Sequence, residues 1–161
     1  MEVYTLCRGF KMVNNAKPIT AFGRHWKFRK REESTGELLG VRQGSGDPVN
    51  MANQAGIYIL YDRGRAVYVG KTEQNGLIDR LREHRKGKKW ERWDRFSWYG
   101  IRPVDRETGR LGKVYSGAEA RMVIDVMESV LIETLTPYFN GRSGSSIGEM
   151  YVQVRARIKR A

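Results

Sequence analysis

The run GIYILYDRGRAVYVG, from Gly56 to Gly70, constrains this chain more tightly than any other stretch. Two β-type segments, Ile57–Leu60 and Ala66–Val69, flank Asp62-Arg63-Gly64. A three-residue connection ending in Gly suits a type I turn followed by a left-handed residue, because Gly takes positive φ without a Cβ clash. Turning about Arg63 predicts residue 58 opposite 68 and 60 opposite 66. Side chains alternate faces along a strand, so Tyr58 and Tyr68 are expected as direct cross-strand neighbours on one face.

The length of 161 residues suits one domain with a real core. Thirty Lys and Arg stand against 18 Asp and Glu, a net charge of +12. Such a field attracts polyanions, of which nucleic acid is the commonest. The single Cys7 excludes an internal disulfide and a Cys-rich zinc site, and fits a reducing compartment. No apolar run approaches the ~20 residues needed to span a bilayer. The N-terminal MEVYTLCRGFKMVNNAK lacks the charge-then-apolar order of a signal peptide, so the expected location is cytoplasmic.

The expected organisation is a basic, aromatic arm over 1–50, a central domain over 51–142 and a basic extension over 143–161, with the first boundary set by composition. In the arm, GRHWKFRKREESTGELLGVRQ predicts a hairpin turning at Ser34-Thr35-Gly36. Arg24, Lys27, Arg29, Lys30 and Arg31 crowd around Trp26 and Phe28, a pattern suited to phosphates plus stacking. The competing reading is an edge hairpin with packed aromatics and solvated charges. GSGDPVN, residues 44–50, reads as a linker.

After the central hairpin, GLIDRLREHRKG places Leu77, Ile78 and Leu81 on a narrow helical stripe. Arg80 and His84, four apart, share a face beside it. Phe96–Val104 predicts a further strand. GAEARMVIDVMESVLIETL predicts a largely buried helix, apolar nearly all round, opened by a Ser116…Glu119 capping box and closed at Thr136-Pro137. A second capping box, Ser146…Glu149, inclines the C-terminal segment to helix.

Glu128 is the most informative single residue. Its helical neighbours Ile124, Leu131, Ile132 and Leu135 are apolar, and a carboxylate there is costly unless paired, hydrogen-bonded or metal-bound. A buried Glu–Arg pair would satisfy it; so would Mg²⁺, which commonly takes one or two carboxylates plus waters. Asp125 and Glu133 read as solvated. Taken singly, Tyr58, Tyr68, Arg80, His84 and Asn140 are ordinary strand, helix and turn residues.

Taken in order, GIY at 56–58, YVG at 68–70, Arg80 with His84, Glu128 within a helix, and Pro137 with Asn140 resemble the GIY-YIG nuclease superfamily. Glu128 precedes Pro137 and Asn140 at a spacing similar to that of the excision-repair members. The second motif half reads YVG where the family name has YIG. The resemblance covers residues ~54–142, and the chain outside that core resembles nothing further.

The resemblance implies an α+β fold: a small, mainly antiparallel three-stranded sheet flanked by helices. It implies hydrolysis of DNA phosphodiesters with one divalent metal, Mg²⁺ with Mn²⁺ as a substitute, leaving a 5′-phosphate and a 3′-hydroxyl. Glu128 would bind the metal. Tyr58 would help activate the attacking water, as base or proton relay. Arg80 would stabilise the transition-state charge. Tyr68 and His84 would orient water and phosphate or assist proton transfer, and Asn140 would brace the site. Lys71, directly after YVG, would add a phosphate contact, or else be a solvated turn residue.

The compact chain suits a type II restriction-like enzyme acting on double-stranded DNA as a homodimer, with a cognate methyltransferase as partner. A structure-selective repair or phage-type nuclease is the second reading. A non-catalytic DNA-binding module on the same fold, and an RNA-binding protein, are different classes that charge and aromatics alone leave open.

Overall fold

In the computed structural model, residues 18–141 are described, apart from 45–46, 74–75, 87–91, 106 and 114–117. The elements in order are β1 (Ala21–Trp26), α1 (Lys30–Thr35), β2 (Leu39–Val41), β3 (Pro48–Asn50), β4 (Gly56–Asp62), β5 (Arg65–Thr72), α2 (Leu77–Glu83), β6 (Arg95–Gly100) and α3 (Ala118–Leu135). The fold is α+β. Its central sheet is antiparallel and four-stranded, ordered β1-β6-β4-β5, with β2 and β3 forming a separate ribbon. Among the described residues no helix is long and apolar enough to cross a membrane.

The sheet has one strand more than expected, and the extra strand comes from the N-terminal segment. β1 pairs with β6, Phe22 opposite Tyr99 and Trp26 opposite Phe96. The hairpin expected over this segment is absent. Residues 30–35 form α1 instead, with acidic Glu32 and Glu33 in its first turn. The Arg29 amide donates to Glu32 Oε2 (2.9 Å), and Gly36, at φ 73°, donates to the Glu32 carbonyl (3.0 Å). Ser34-Thr35-Gly36 therefore ends a helix where a hairpin turn was expected. β2 finds its partner across the segment expected as a linker, with Leu39 opposite Asn50. Phe28 is buried, and Trp26 packs edge-on against Trp98 at 5.4 Å, so both aromatics belong to the core.

The β4–β5 hairpin forms, with a different turn and register. Arg63 (φ 49°) and Gly64 (φ 83°) both take left-handed angles, the pattern of a two-residue type I′ turn closed by Asp62 opposite Arg65. A bulge then shifts the ladder between Leu60 and Tyr61. Tyr58 lies opposite Gly70 and Tyr68 opposite Leu60. The two tyrosines are diagonal neighbours on one face, not a direct pair, with ring centroids 6.0 Å apart.

Each sheet face builds its own core. On one, Tyr58, Leu60, Phe96 and Trp98 pack against Leu77, Ile78 and Leu81 of α2, the expected stripe. On the other, Ile57, Ile59 and Val69 pack against Ile124 of α3. The third strand of the sequence reading, expected over 96–104, spans Arg95–Gly100.

α3 ends at Leu135, ahead of Thr136-Pro137 as expected. It is less buried than its composition suggests. Met122, Val126, Val130 and Leu135 are exposed, because only the Ile124–Leu131 side meets the sheet. Ser116 of its expected capping box, and the C-terminal segment expected to be helical, lie outside the described residues.

Candidate active site

β4, β5 and α2 bring Tyr58, Tyr68, Arg80 and His84 to one place. Tyr58 is held rigidly: it points into the core from a central strand and is 0% exposed. Its hydroxyl shares a 2.8 Å hydrogen bond with His84 Nε2. The ring of His84 also lies 4.6 Å from that of Tyr68. His84 caps α2 and is fixed from behind, its carbonyl accepting the Trp93 indole N–H at 3.1 Å. Gly70 makes this packing possible. A Cβ there would sit 2.6 Å from Tyr58 Oη and 2.6 Å from Tyr68 Cε1. The last letter of the YVG motif is thus a space requirement of two phenol rings.

Burial sets the protonation of the cluster. His84 is 7% exposed, and its pKa is pushed down to about 4, first by burial and then by the Arg80 charge. It is a neutral imidazole at pH 7. Burial, with Tyr68 adding to it, drives the Tyr58 phenol far above its usual range against the pull of Arg80. Tyr68, half-buried, is raised for the same first reason and lowered by Arg80. A free Tyr58 phenolate is therefore unfavourable in this state. The Tyr58 hydroxyl is bonded to His84, and its ring lies 6.0 Å from that of Tyr68, so the two phenols and the imidazole are contiguous.

Arg80 reaches both phenols electrostatically and forms a tight ion pair through Nη1 with Glu83 Oε2. Glu83 was not expected to matter. The signal was present, since residues three apart share a helix face.

Glu128 faces β5 from α3, with its side chain 22% exposed. Lys71 Nζ lies 3.7 Å from Glu128 Oε2, 3.9 Å from Glu73 Oε1 and in closest contact with Asp125 Oδ1. Asp125, expected as solvated, is half of an ion pair. Lys71, offered as a phosphate contact, is engaged by carboxylates. Burial raises the Glu128 pKa, Lys71 opposes that, Asp125 adds to it, and Arg80 lowers it. Tyr68 in turn feels Glu128. β5 is the edge strand of the sheet, with one side away from β4.

Asn140 clamps that side. The Val69 amide donates to Asn140 Oδ1 (2.8 Å), and Asn140 Nδ2 donates to the Val69 carbonyl (2.7 Å). The Phe139 amide adds a bond to the Val67 carbonyl at 2.9 Å. Asn140 is a positioning residue that holds β5 in register beside Tyr68.

The expected phosphate-binding residues of the arm do not join this cluster, and only two of them share a cleft. Lys27 and Arg29 line a cleft of about 420 Å³ with Trp26, Arg31 and Arg95, and none of the clustered residues lines it. Lys30 is exposed on α1. Arg24 acts on Tyr99 electrostatically, on the α3 side of the sheet.

The donor chemistry at Glu128 decides which cation would fit. Among the described residues no three His, Cys, Asp or Glu side chains converge, which disfavours a zinc-type cage. Mg²⁺ needs only one or two carboxylates, with waters completing the shell. Glu128 and Asp125, one turn apart on α3 and both facing a cation in Lys71, fit that pattern.

No protein-family model matches the chain, and no curated protein matches it. Among solved structures, the chain is similar to the crystal structure of the GIY-YIG N-terminal endonuclease domain of UvrC from Thermotoga maritima, a Tyr-to-Phe point mutant bound to the catalytic divalent cation. The likeness covers 71% of this chain and 100% of that one, at 17% identity and a TM-score of 0.40.

Proposed function

We propose that this protein is a metal-dependent endonuclease that hydrolyses DNA phosphodiesters at the Tyr58–Tyr68–Arg80–His84–Glu128 cluster. The observation that carries the reading is the contact of Tyr58, Tyr68 and His84 at one corner of the sheet, with Arg80 and Glu128 close enough to act on these groups electrostatically. Packing alone gives no reason for a neutral buried His, an Arg and two phenols to share this corner with a half-buried carboxylate. The motif order of the sequence supports the same reading.

Glu128, with Asp125 beside it, would hold a divalent cation, which supplies charge neutralisation and acidifies bound water. Arg80, a planar guanidinium, grips two phosphate oxygens and faces the charge that builds in the transition state. Phosphate on Arg80 also offsets the charge that depresses His84, making the imidazole a better proton acceptor when substrate is bound. A proton from the attacking water then passes along the phenols to His84, so Tyr58 serves as a relay. Lys71 must leave its carboxylates before it can contact phosphate.

The finer reading is a type II restriction-like enzyme cutting double-stranded DNA as a homodimer beside a cognate methyltransferase. Digestion of plasmid, branched DNA and RNA with and without Mg²⁺, followed by end sequencing, tests both levels. Ends at one palindrome bearing 5′-phosphates support the restriction reading, and ends at junctions replace it with a structure-selective enzyme. If no substrate is cut, and Glu128→Ala changes nothing, the nuclease reading fails.

A further inference from the structure

The α3 side of the central sheet is unevenly covered. α3 packs on β5 and β4. On the same side, β6 and the edge strand β1 present aromatic rings to solvent. Phe22, opposite Tyr99 in the ladder, is 60% exposed, and the two rings stack at 6.1 Å with an interplanar angle of 17°. His25 lies against Tyr61 at 4.6 Å. Arg24, exposed between them, acts on the Tyr99 phenol, as does Tyr61. These residues form one patch.

The local backbone is shaped to make it. β1 carries an irregularity between Gly23 and Trp26, and inside it His25 adopts φ 53°. A non-Gly residue in the left-handed region is uncommon and persists only where its surroundings over-determine it. Here the His25 amide donates to Ser97 Oγ (3.1 Å), and its carbonyl accepts from Arg95 Nη1 (3.2 Å). Bulges of this kind re-aim side chains, and this one turns an imidazole onto Tyr61. The neighbouring aromatics Trp26 and Phe28 go into the core on the other face. Exposure of Phe22 and His25 is thus not a by-product of crowding.

Exposed Phe22 and His25 rings, laid against half-buried Tyr99 and Tyr61 and beside a guanidinium, on a chain of net charge +12, match the chemistry of unpaired nucleotides. Bases stack on aromatic faces while cations take phosphates. We propose that this face is a stacking platform for single-stranded nucleic acid, with Phe22, Tyr99, His25 and Tyr61 receiving bases and Arg24 a phosphate. Bases within a duplex are already stacked on one another and cannot lie on these rings. The platform therefore discriminates single strands from duplex, and it does not depend on the chemistry at Glu128.

Fluorescence anisotropy in EDTA tests it, with labelled oligothymidine and a duplex of equal length as probes. Wild-type protein is expected to bind the single strand more tightly than the duplex. Phe22→Leu keeps apolar area but offers no π-face, and should weaken oligothymidine binding on the order of tenfold with duplex binding changed less than about twofold. Phe22→Trp should retain the affinity. His25→Gly relieves the backbone strain while removing the ring, so it should keep or raise the melting temperature and still weaken the single-strand complex. Equal losses on both probes, no loss in Phe22→Leu and His25→Gly, or no single-strand preference would overturn the proposal. So would a change in oligomeric state, by light scattering, with oligothymidine affinity unaltered, since the patch would then serve a second copy. Metal is absent throughout, so this result and the cleavage result fail separately.

Discussion

Acid should weaken this protein through His84, by an amount that can be worked out. The imidazole titrates at its ordinary value of 6.5 in the unfolded chain and at about 4 in the folded one. A depressed folded pKa means the unfolded state binds the proton first. Stability is therefore full above about pH 6.5 and is lost progressively as pH falls toward about 4. The difference between the two values corresponds to roughly 3 kcal/mol in all, of which about 2 kcal/mol is gone by about pH 5. Carboxylates titrate over part of the same range, Glu128 with the opposite sign, so the comparison must be internal. His84→Gln keeps a polar partner for Tyr58 and cannot titrate. Urea unfolding at about pH 7 and about pH 5 should show wild type losing about 2 kcal/mol more than His84→Gln between the two. Equal losses would mean that His84 is not a neutral, desolvated imidazole and does not accept the proton passed along the phenols.

Three further outcomes follow from the same geometry. Gly70→Ala places a methyl group against both phenols and should destabilise by about 1–3 kcal/mol, read by thermal melting, with any activity reduced more than stability explains. Asn140→Ala removes two hydrogen bonds to Val69; it should cost about 1–3 kcal/mol and speed hydrogen exchange at the Val69 amide, and unchanged exchange would refute the clamp. Arg80→Ala should raise the His84 pKa, because Arg80 is the second cause of its depression. With two histidines in the chain, an NMR titration resolves this, and an unmoved His84 would contradict the coupling.

What could be read in the sequence was what local chemistry controls. The hairpin, the Leu77–Ile78–Leu81 stripe, the Thr136-Pro137 stop and the members of the tyrosine–histidine–arginine cluster all depend on residues close in the chain or on a recognisable order. The register of Tyr58 against Tyr68 was not legible. It is set by a bulge at Leu60/Tyr61, and β4 must also pair with β6 on its other side. The place of β1 was hidden for a related reason: its partner, β6, lies far along the chain. Residues 30–35 misled because a six-residue helix carries too little periodicity to outweigh a Ser-Thr-Gly turn signal. Lys71 and Asp125 each looked solvated alone, and only the packing of α3 on β5 joins them. If the Phe22 platform binds single strands, the structure-selective form of the nuclease reading gains over the restriction-like one, since frayed and branched DNA offers the unpaired bases it needs.

The proposed nuclease activity depends on Glu128. Supercoiled plasmid incubated with Mg²⁺ should be nicked or cut by wild-type protein, leaving 5′-phosphates and 3′-hydroxyls. Glu128→Gln, nearly isosteric and without the charge a divalent cation needs, should reduce cleavage by about two orders of magnitude or more while keeping the wild-type melting temperature within a few degrees. Cleavage by Glu128→Gln at the wild-type rate, or by wild type undiminished in EDTA, would contradict it.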